Sequence, residues 1–118
     1  MKESIIAHRS EDFALEIIKL YRYLTSYAES KEYVLSKQVL RSGTSIGANI
    51  KEALRGQSRP DFRAKMNIAL KEASETEYWL NLLYKSGYLE EETYQSIIKE
   101  NVEILKILTS IVKSTEPQ

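Results

Sequence analysis

Residues 58–87 read SRPDFRAKMNIALKEASETEYWLNLLYKSG. Small and apolar side chains recur there at spacings of four and three, which places them on one stripe of an α-helix. The stripe consists of Phe62, Met66, Ala69, Ala73, Thr76, Leu80 and Leu83. Ser58 is a typical N-cap, Pro60 fits the first turn, and Gly87 is typical of the residue after a helix. These signals predict a helix over 59–85.

Similar periods on either side predict three more helices, over 11–29, 33–55 and 90–113. The first has Ser10 as its expected N-cap, followed by acidic residues that suit the positive end of a helix. In the second, Gly43 and Gly47 each cost about 1 kcal/mol of helix propensity. Because the side chain of glycine is only a hydrogen atom, another helix could approach closely at these positions. We therefore expect both glycines to lie inside an unbroken helix. The competing interpretation breaks it at Ser42-Gly43.

Short connections between sequential helices predict antiparallel neighbours. We therefore expect an all-α fold, an antiparallel up-down four-helix bundle. The 118 residues suit a single domain over 1–118, with an ordered core of about 10–113. The side chains expected in the core are Phe13, Ile46, Ile50, Phe62, Leu80 and Leu105.

Composition excludes several functional classes. The chain has no cysteine, which excludes disulfides, thiolate metal sites and cysteine nucleophiles. With no signal peptide or long apolar run, we expect a cytoplasmic protein without a membrane partner. The single histidine, His8, and the lack of catalytic, metal-binding or nucleotide-binding motifs predict a protein that is not an enzyme and has no metal or cofactor.

A polar arc lies beside the apolar stripe of the second helix. On a helical wheel its residues occupy roughly one quarter of the circumference. They are Gln38, Arg41, Ser45, Asn49 and Glu52. Glu77 of the third helix lies beside an apolar stripe and needs a partner there, because an unpaired buried charge is costly. We expect these six residues to form a buried polar network in which Arg41 pairs with Glu77 first and Glu52 second.

Charge is segregated along the chain, although 17 basic and 17 acidic residues give no net charge. Residues 41–71 carry seven basic and two acidic side chains, whereas 72–118 carry four and nine. The basic side chains near the turn between the second and third helices are Lys51, Arg55, Arg59, Arg63 and Lys65. They are candidates for binding RNA or DNA phosphates or an acidic protein surface, and the bland alternative is a solvated loop.

The third helix carries a second stripe, formed by Ile68, Glu75, Trp79 and Leu82. The fourth helix is apolar over much of its circumference. Because monomers rarely expose large contiguous apolar patches, these faces predict a closed homo-oligomer with Trp79 at the subunit interface.

The second helix also carries a resemblance to a known family, through Gln38, Arg41, Ser45-Ile46, Asn49-Ile50 and Glu52. These residues resemble the signature of the four-helix-bundle proteins encoded in 23S ribosomal RNA intervening sequences. Asp61-Phe62, Ser74 with Glu77, and the turn at Ser86–Leu89 match further patterns of that family. The resemblance covers about residues 10–113. One departure is Ala53, where the family usually has glycine, and it bears on the geometry of the following turn.

The resemblance implies a similar fold and a ring-shaped homopentamer. It also implies no catalytic activity. Relatives that accompany diversity-generating reverse transcriptases bind nucleic acid and their enzyme partner, but they are notably basic and this chain is neutral. We therefore predict a non-enzymatic oligomeric adaptor that binds nucleic acid or a nucleic-acid enzyme. The alternative is a purely structural oligomer whose charge segregation serves self-assembly.

Overall fold

A computed structural model describes residues 2–116 as four long helices with no strand in that range. They are α1 (Lys2–Arg22), α2 (Leu35–Leu54), α3 (Arg59–Lys85) and α4 (Glu91–Ser114). Each helix packs against the next in sequence, and α1 also packs against α4, which closes the square. The predicted antiparallel four-helix bundle is confirmed. No helix within residues 2–116 is long and apolar enough to cross a membrane.

The core follows the predicted stripes with two exceptions. Phe13, Ile46, Ile50 and Leu80 are at most 1% exposed. Phe62 and Leu105, also expected in the core, are only partly buried. Phe62 lies in the first turn of α3, at the open end of the bundle. Leu105 is rotated about 100° from its neighbour Ile104, which points into the core.

The start of α1 was predicted wrongly. The helix begins at Lys2 rather than at residue 11, and Ile6 is fully buried in the core. Ser10 is therefore not an N-cap but a buried member of the core stripe. Its hydroxyl donates to the Ala7 carbonyl at 3.0 Å, the local bond that a serine inside a helix commonly makes.

The α1–α2 contact depends on the two glycines of α2. A Cβ at position 43 would lie 2.9 Å from Ile17 Cγ1, and one at position 47 would lie 3.3 Å from Ser10 Oγ. Ordinary carbon–carbon contact needs about 3.5–4.0 Å. Both glycines lie inside a continuous helix, so the prediction of an unbroken helix with a close helix approach is confirmed.

Helix α3 begins and ends at the predicted residues. The Ser58 hydroxyl accepts a hydrogen bond from the Asp61 N–H at 3.2 Å. At the other end Gly87 has a φ of +90°. The Tyr88 N–H donates to the Leu83 carbonyl at 2.9 Å, and the Gly87 N–H donates to the Tyr84 carbonyl at 3.1 Å. This is a Schellman motif, which satisfies the last carbonyls of the helix.

The connection from α1 to α2 was not anticipated. Helix α1 widens into a π-helical turn over Tyr23–Tyr27. The Glu32 carboxylate, only 8% exposed, then accepts the N–H groups of Val34, Leu35 and Ser36 at 3.1, 2.9 and 2.7 Å. Glu32 thus satisfies the free donors at the start of α2. Burial opposes its ionisation, but these hydrogen bonds outweigh burial and hold the pKa of Glu32 below its usual value.

Candidate interaction surfaces

Arg41 links α2 to α3 at the protein surface. Its guanidinium Nη1 lies 3.1 Å from Glu72 Oε2, and Nη2 lies 2.5 Å from Glu75 Oε1. The predicted partners, Glu77 and Glu52, were wrong. Glu72 and Glu75 are three residues apart and share one side of α3, whereas Glu77 is rotated about 200° from Glu75.

Glu75 also orients the only tryptophan of the chain. The Trp79 indole Nε1–H donates to Glu75 Oε1 at 3.1 Å, and Trp79 packs edge-on against Tyr78 with ring centroids 5.1 Å apart. The hydrogen bond from Arg41 lowers the pKa of Glu75, and the bond to Glu75 raises the pKa of Arg41. Both groups therefore stay charged at neutral pH. Gln38, Arg41, Glu72, Glu75 and Trp79 together define the α2–α3 face.

The rest of the polar arc is a surface feature in a single chain, not the buried network that we predicted. Gln38 and Glu52 are exposed. The Ser45 hydroxyl donates to the Arg41 carbonyl at 2.6 Å, and the Asn49 amide donates to the Ser45 carbonyl at 2.8 Å. Glu52 pairs with Lys65 at 3.2 Å. The bonds of the arc are thus mostly local, and its place in a subunit contact stays a prediction.

The polar groups that are buried lie elsewhere and were missed. The Ser42 and Thr76 hydroxyls, both fully buried, lie 2.8 Å apart between α2 and α3. The Asn101 amide donates to the Ala73 carbonyl at 3.1 Å, between α3 and α4. Thr76 occupies an apolar stripe in the sequence and was read as a packing residue. The positions of Ser42 and Asn101 on the inward sides of their helices could have predicted these buried hydrogen bonds.

The second stripe of α3 is only partly covered within one chain. Ile68 is 41% exposed, and Tyr78, which packs against Trp79 of the stripe, is 56% exposed. Glu75, Trp79 and Leu82 are of intermediate exposure. The stripe leaves apolar surface in water beside the α2–α3 face.

Three of the five candidate basic side chains are already occupied. Arg59 donates to the Ser114 carbonyl at 3.2 Å, which caps the end of α4. Arg63 lies 3.7 Å from the Glu116 carboxylate, and Lys65 pairs with Glu52. Among residues 2–116, Lys51 and Arg55 form no hydrogen bond or ion pair through their side chains. These two border a cleft of about 760 Å³ at the α2–α3 turn.

On the opposite side of the bundle, α1 and α4 enclose a groove of about 710 Å³, the α1–α4 groove. Its lining residues are Phe13, Glu16, Lys19, Leu20, Tyr23, Leu89, Glu90, Glu92, Thr93, Ser96, Ile97 and Glu100. The floor is apolar and the rim is acidic. At one end Arg9 Nη2 donates to the Glu100 carboxylate at 2.7 Å, and this bond raises the pKa of Arg9.

No group of three or more His, Cys, Asp or Glu side chains within residues 2–116 is placed to hold a metal ion. His8 is largely exposed on α1, with its Nε2 3.6 Å from Asp12. The surfaces described above present charged and apolar groups to solvent.

The model of the 23S rRNA-intervening sequence protein family matches residues 2–110. The chain belongs to this family. It is also similar to the crystal structure of a Bacteroides thetaiotaomicron protein of unknown function from the S23 ribosomal protein family. The two are 52% identical, the match covers 96% of this chain and 99% of the other, and the TM-score is 0.91. A comparison with curated proteins gives no match.

In this intervening-sequence protein, the signature of α2 serves two surfaces. Ile46 and Ile50 lie in the core, whereas Arg41 and Gln38 lie on the α2–α3 face. Ala53, where the family usually has glycine, is 2% exposed inside α2, and the helix continues to Leu54. Alanine at this position is therefore accommodated within the helix.

Proposed function

We propose that this protein is a non-enzymatic adaptor that assembles into a closed homo-oligomer and binds an anionic partner at one end. The observation that carries the proposal is the α2–α3 face. There a partly exposed tryptophan is held by an ion-paired carboxylate, beside the exposed side chains of Ile68 and Tyr78. Aromatic side chains and arginine are enriched in protein interfaces and supply much of their binding energy.

Light scattering coupled to size exclusion tests the assembly. We expect a mass several times 13.6 kDa at micromolar concentration, and a homopentamer is the form that the family resemblance implies. Trp79→Ala should shift the distribution toward monomer. Tyr27→Ala removes another aromatic ring, 80% exposed at the end of the bundle, and should leave the mass unchanged. A monomeric wild-type chain would refute the assembly.

Nucleic acid is the anionic partner that we propose. Lys51 and Arg55 are exposed and have no ion-pair partner within residues 2–116. An oligomer repeats this pair once per subunit, so a phosphate backbone would meet several weak sites at once, and the linked sites raise the overall affinity.

Fluorescence anisotropy with labelled single-stranded and duplex RNA and DNA, measured across salt concentrations, tests this partner. Lys51→Gln/Arg55→Gln should weaken binding about tenfold or more and flatten the salt dependence. Lys31→Gln/Lys99→Gln removes the same charge elsewhere and should have little effect. An intact oligomer that binds none of these probes at low salt would select the alternative, a purely structural assembly.

A further inference from the structure

We propose that the α1–α4 groove of one chain receives the α2–α3 face of the next copy, at the same height along the bundle. This inference rests on the self-assembly proposed above and names the second surface of that contact. The two surfaces lie on opposite sides of one chain, because α1 neighbours α2 and α4, and α3 neighbours the same two helices. A contact between two different surfaces is heterologous.

The heights of the two surfaces follow from contacts across the bundle. Gly43 packs on Ile17, Ser42 meets Thr76, and Asn101 bonds to Ala73, so these residues mark one level. The groove extends from this level toward the start of α4, since it is lined from Glu100 to Leu89.

The α2–α3 face lies on the same half of the bundle. Gln38 is one turn before Ser42 in α2, and Trp79 is about one turn after Thr76 in α3. In α4, Ser96 lies between Asn101, which bonds to Ala73, and Tyr94, which stacks on Tyr84 with ring centroids 4.2 Å apart. Ser96 in the groove and Gln38 on the face therefore share one height, and neighbouring copies need no shift along the long axis.

Charges that lack partners in one chain support the same pairing. Lys37 precedes Arg41 by one turn of α2, and Lys85 ends α3; both are exposed. Glu90 and Glu92 lie on the groove rim. Among residues 2–116 none of these four side chains forms an ion pair. Docking the face into the groove brings Lys37 toward the two carboxylates, whereas Lys85, six residues after Trp79, lies on another side of α3. Charge complementarity of this kind sets the register of an interface.

The absence of an axial shift has a geometric consequence. A heterologous contact repeated with a rise along the axis builds an open filament, whereas one with no rise closes into a ring when the rotation between neighbours divides a full turn. Matched heights therefore favour a ring of side-by-side chains. The rotation between neighbours sets the number of chains in the ring.

Disulfide trapping tests the inference cleanly, because the chain has no cysteine of its own. The variant Gln38→Cys/Ser96→Cys places one thiol on each surface. The bundle is about 20 Å across at the Cα atoms, so the two thiols cannot join within one chain. Under mild oxidation we expect a ladder of covalent oligomers that ends at the mass of the closed ring. Gln38→Cys alone and Ser96→Cys alone should stay uncrosslinked.

A height control separates this register from a shifted one. Ser45 lies on the same side of α2 as Gln38, about 10 Å further along the helix. Ser45→Cys/Ser96→Cys should crosslink far less than Gln38→Cys/Ser96→Cys. Preferential crosslinking at Ser45, or dimers from Gln38→Cys alone, would overturn the inference while the assembly stands. A wild-type mass of one chain would instead refute the proposed assembly itself.

Charge reversal gives an independent readout. Glu90→Lys/Glu92→Lys and Lys37→Glu should each raise the dissociation constant of the assembly about tenfold or more. A mixture of the two variants should recover association, because each supplies the surface complementary to the other. Failure of the mixture to recover, with both variants still helical by circular dichroism, would count against this interface.

Discussion

Glu32 occupies the place at a helix N-terminus that Ser, Thr, Asp or Asn usually fills. Its longer side chain reaches the backbone from two residues before Val34, and three N–H groups of the first turn converge on it. An ionised carboxylate at the positive end of a helix is favourable, and this one is shielded from water. The start of α2 therefore depends on the charge of one residue.

Replacing Glu32 with Gln should lower the free energy of unfolding by about 1 kcal/mol at pH 7. Because the pKa of Glu32 is lowered in the folded state, its contribution is fully present above the unfolded-state value of about 4.3. The contribution is lost as pH falls through the folded-state pKa. Urea denaturation from pH 7 to pH 2 should show wild type and variant converging in acid. Exposed Glu29→Gln is the control, and a gap that persists at pH 2 would contradict the assignment.

Arg41→Ala should cost less than about 1 kcal/mol of folding stability in a dilute, unassembled sample, because surface ion pairs contribute little. The Arg41 side chain is 48% exposed, so its removal does not leave a buried charge unpaired, which would cost several kcal/mol. Chemical denaturation of wild type and variant measures the difference. A loss of 3 kcal/mol or more would mean that the charges are buried.

The sequence was sufficient to give Arg41 a carboxylate partner on α3 but not to choose that partner. The choice depends on how α3 is rotated against α2. Glu77 lies about 200° round α3 from Glu75, so it is on a side of α3 that does not face Arg41. Glu32 was missed for another reason. Glutamate is an uncommon cap, so composition gave no signal, and only the path of the 28–34 connection brings its carboxylate back to the helix.

At the scale of helices, the limits of a helix were predicted correctly where both capping residues and the apolar stripe were present in the sequence. Helix α3 has a cap at each end and an uninterrupted stripe, and its limits were predicted to the residue. Helix α1 shows how a local signal misleads: Ser10 followed by two acidic residues has the pattern of a helix start. In the bundle Ser10 is small because α2 passes close by at Gly47, a constraint that belongs to two helices at once.

Gly43→Ala should lower the free energy of unfolding by about 1 kcal/mol. Alanine gains about 1 kcal/mol of helix propensity, but overpacking against a β-branched core side chain costs about 1–3 kcal/mol. The contact is with Cγ1 and Cγ2 of Ile17, which cannot swing away. Guanidinium denaturation measures the change.

Gly47→Ala is the matched control for this substitution. Its Cβ would meet the small Ser10 side chain at 3.3 Å, so the helix gain should offset the contact and leave stability within about 0.5 kcal/mol. If both substitutions changed the free energy of unfolding equally, the helices α1 and α2 would not be closer at Gly43 than at Gly47.

At the scale of the whole molecule, a single chain leaves two opposite sides incomplete. One is the α2–α3 face, which keeps its aromatic and charged groups at the surface, and the other is the α1–α4 groove. Sequence patterns indicated the first, through the second stripe of α3. For the second they indicated only that α4 is apolar over much of its circumference. They did not locate the groove, because a groove arises from the separation of two helices and no residue pattern records that distance.

If copies associate through these sides, the thermal midpoint should rise with protein concentration, since assembly stabilises only the folded state. Circular dichroism melts at several concentrations from sub-micromolar upward measure this dependence. The charge-reversed variant Glu90→Lys/Glu92→Lys should show a weaker dependence over the same range. A wild-type midpoint that does not change with concentration would indicate that folding and association are unlinked.

Gly43 and Gly87 are both glycines, yet substitutions at the two positions obey different rules. Around Gly87 nothing lies within 4 Å of where a Cβ would be, so only its φ of +90° restricts the residue. Asparagine and aspartate tolerate that region better than other residues, so they should be acceptable replacements in related chains. At Gly43 the backbone is ordinary and space is the whole restriction. A larger residue there would need a compensating smaller one at position 17, so those two positions should change together while position 87 changes alone.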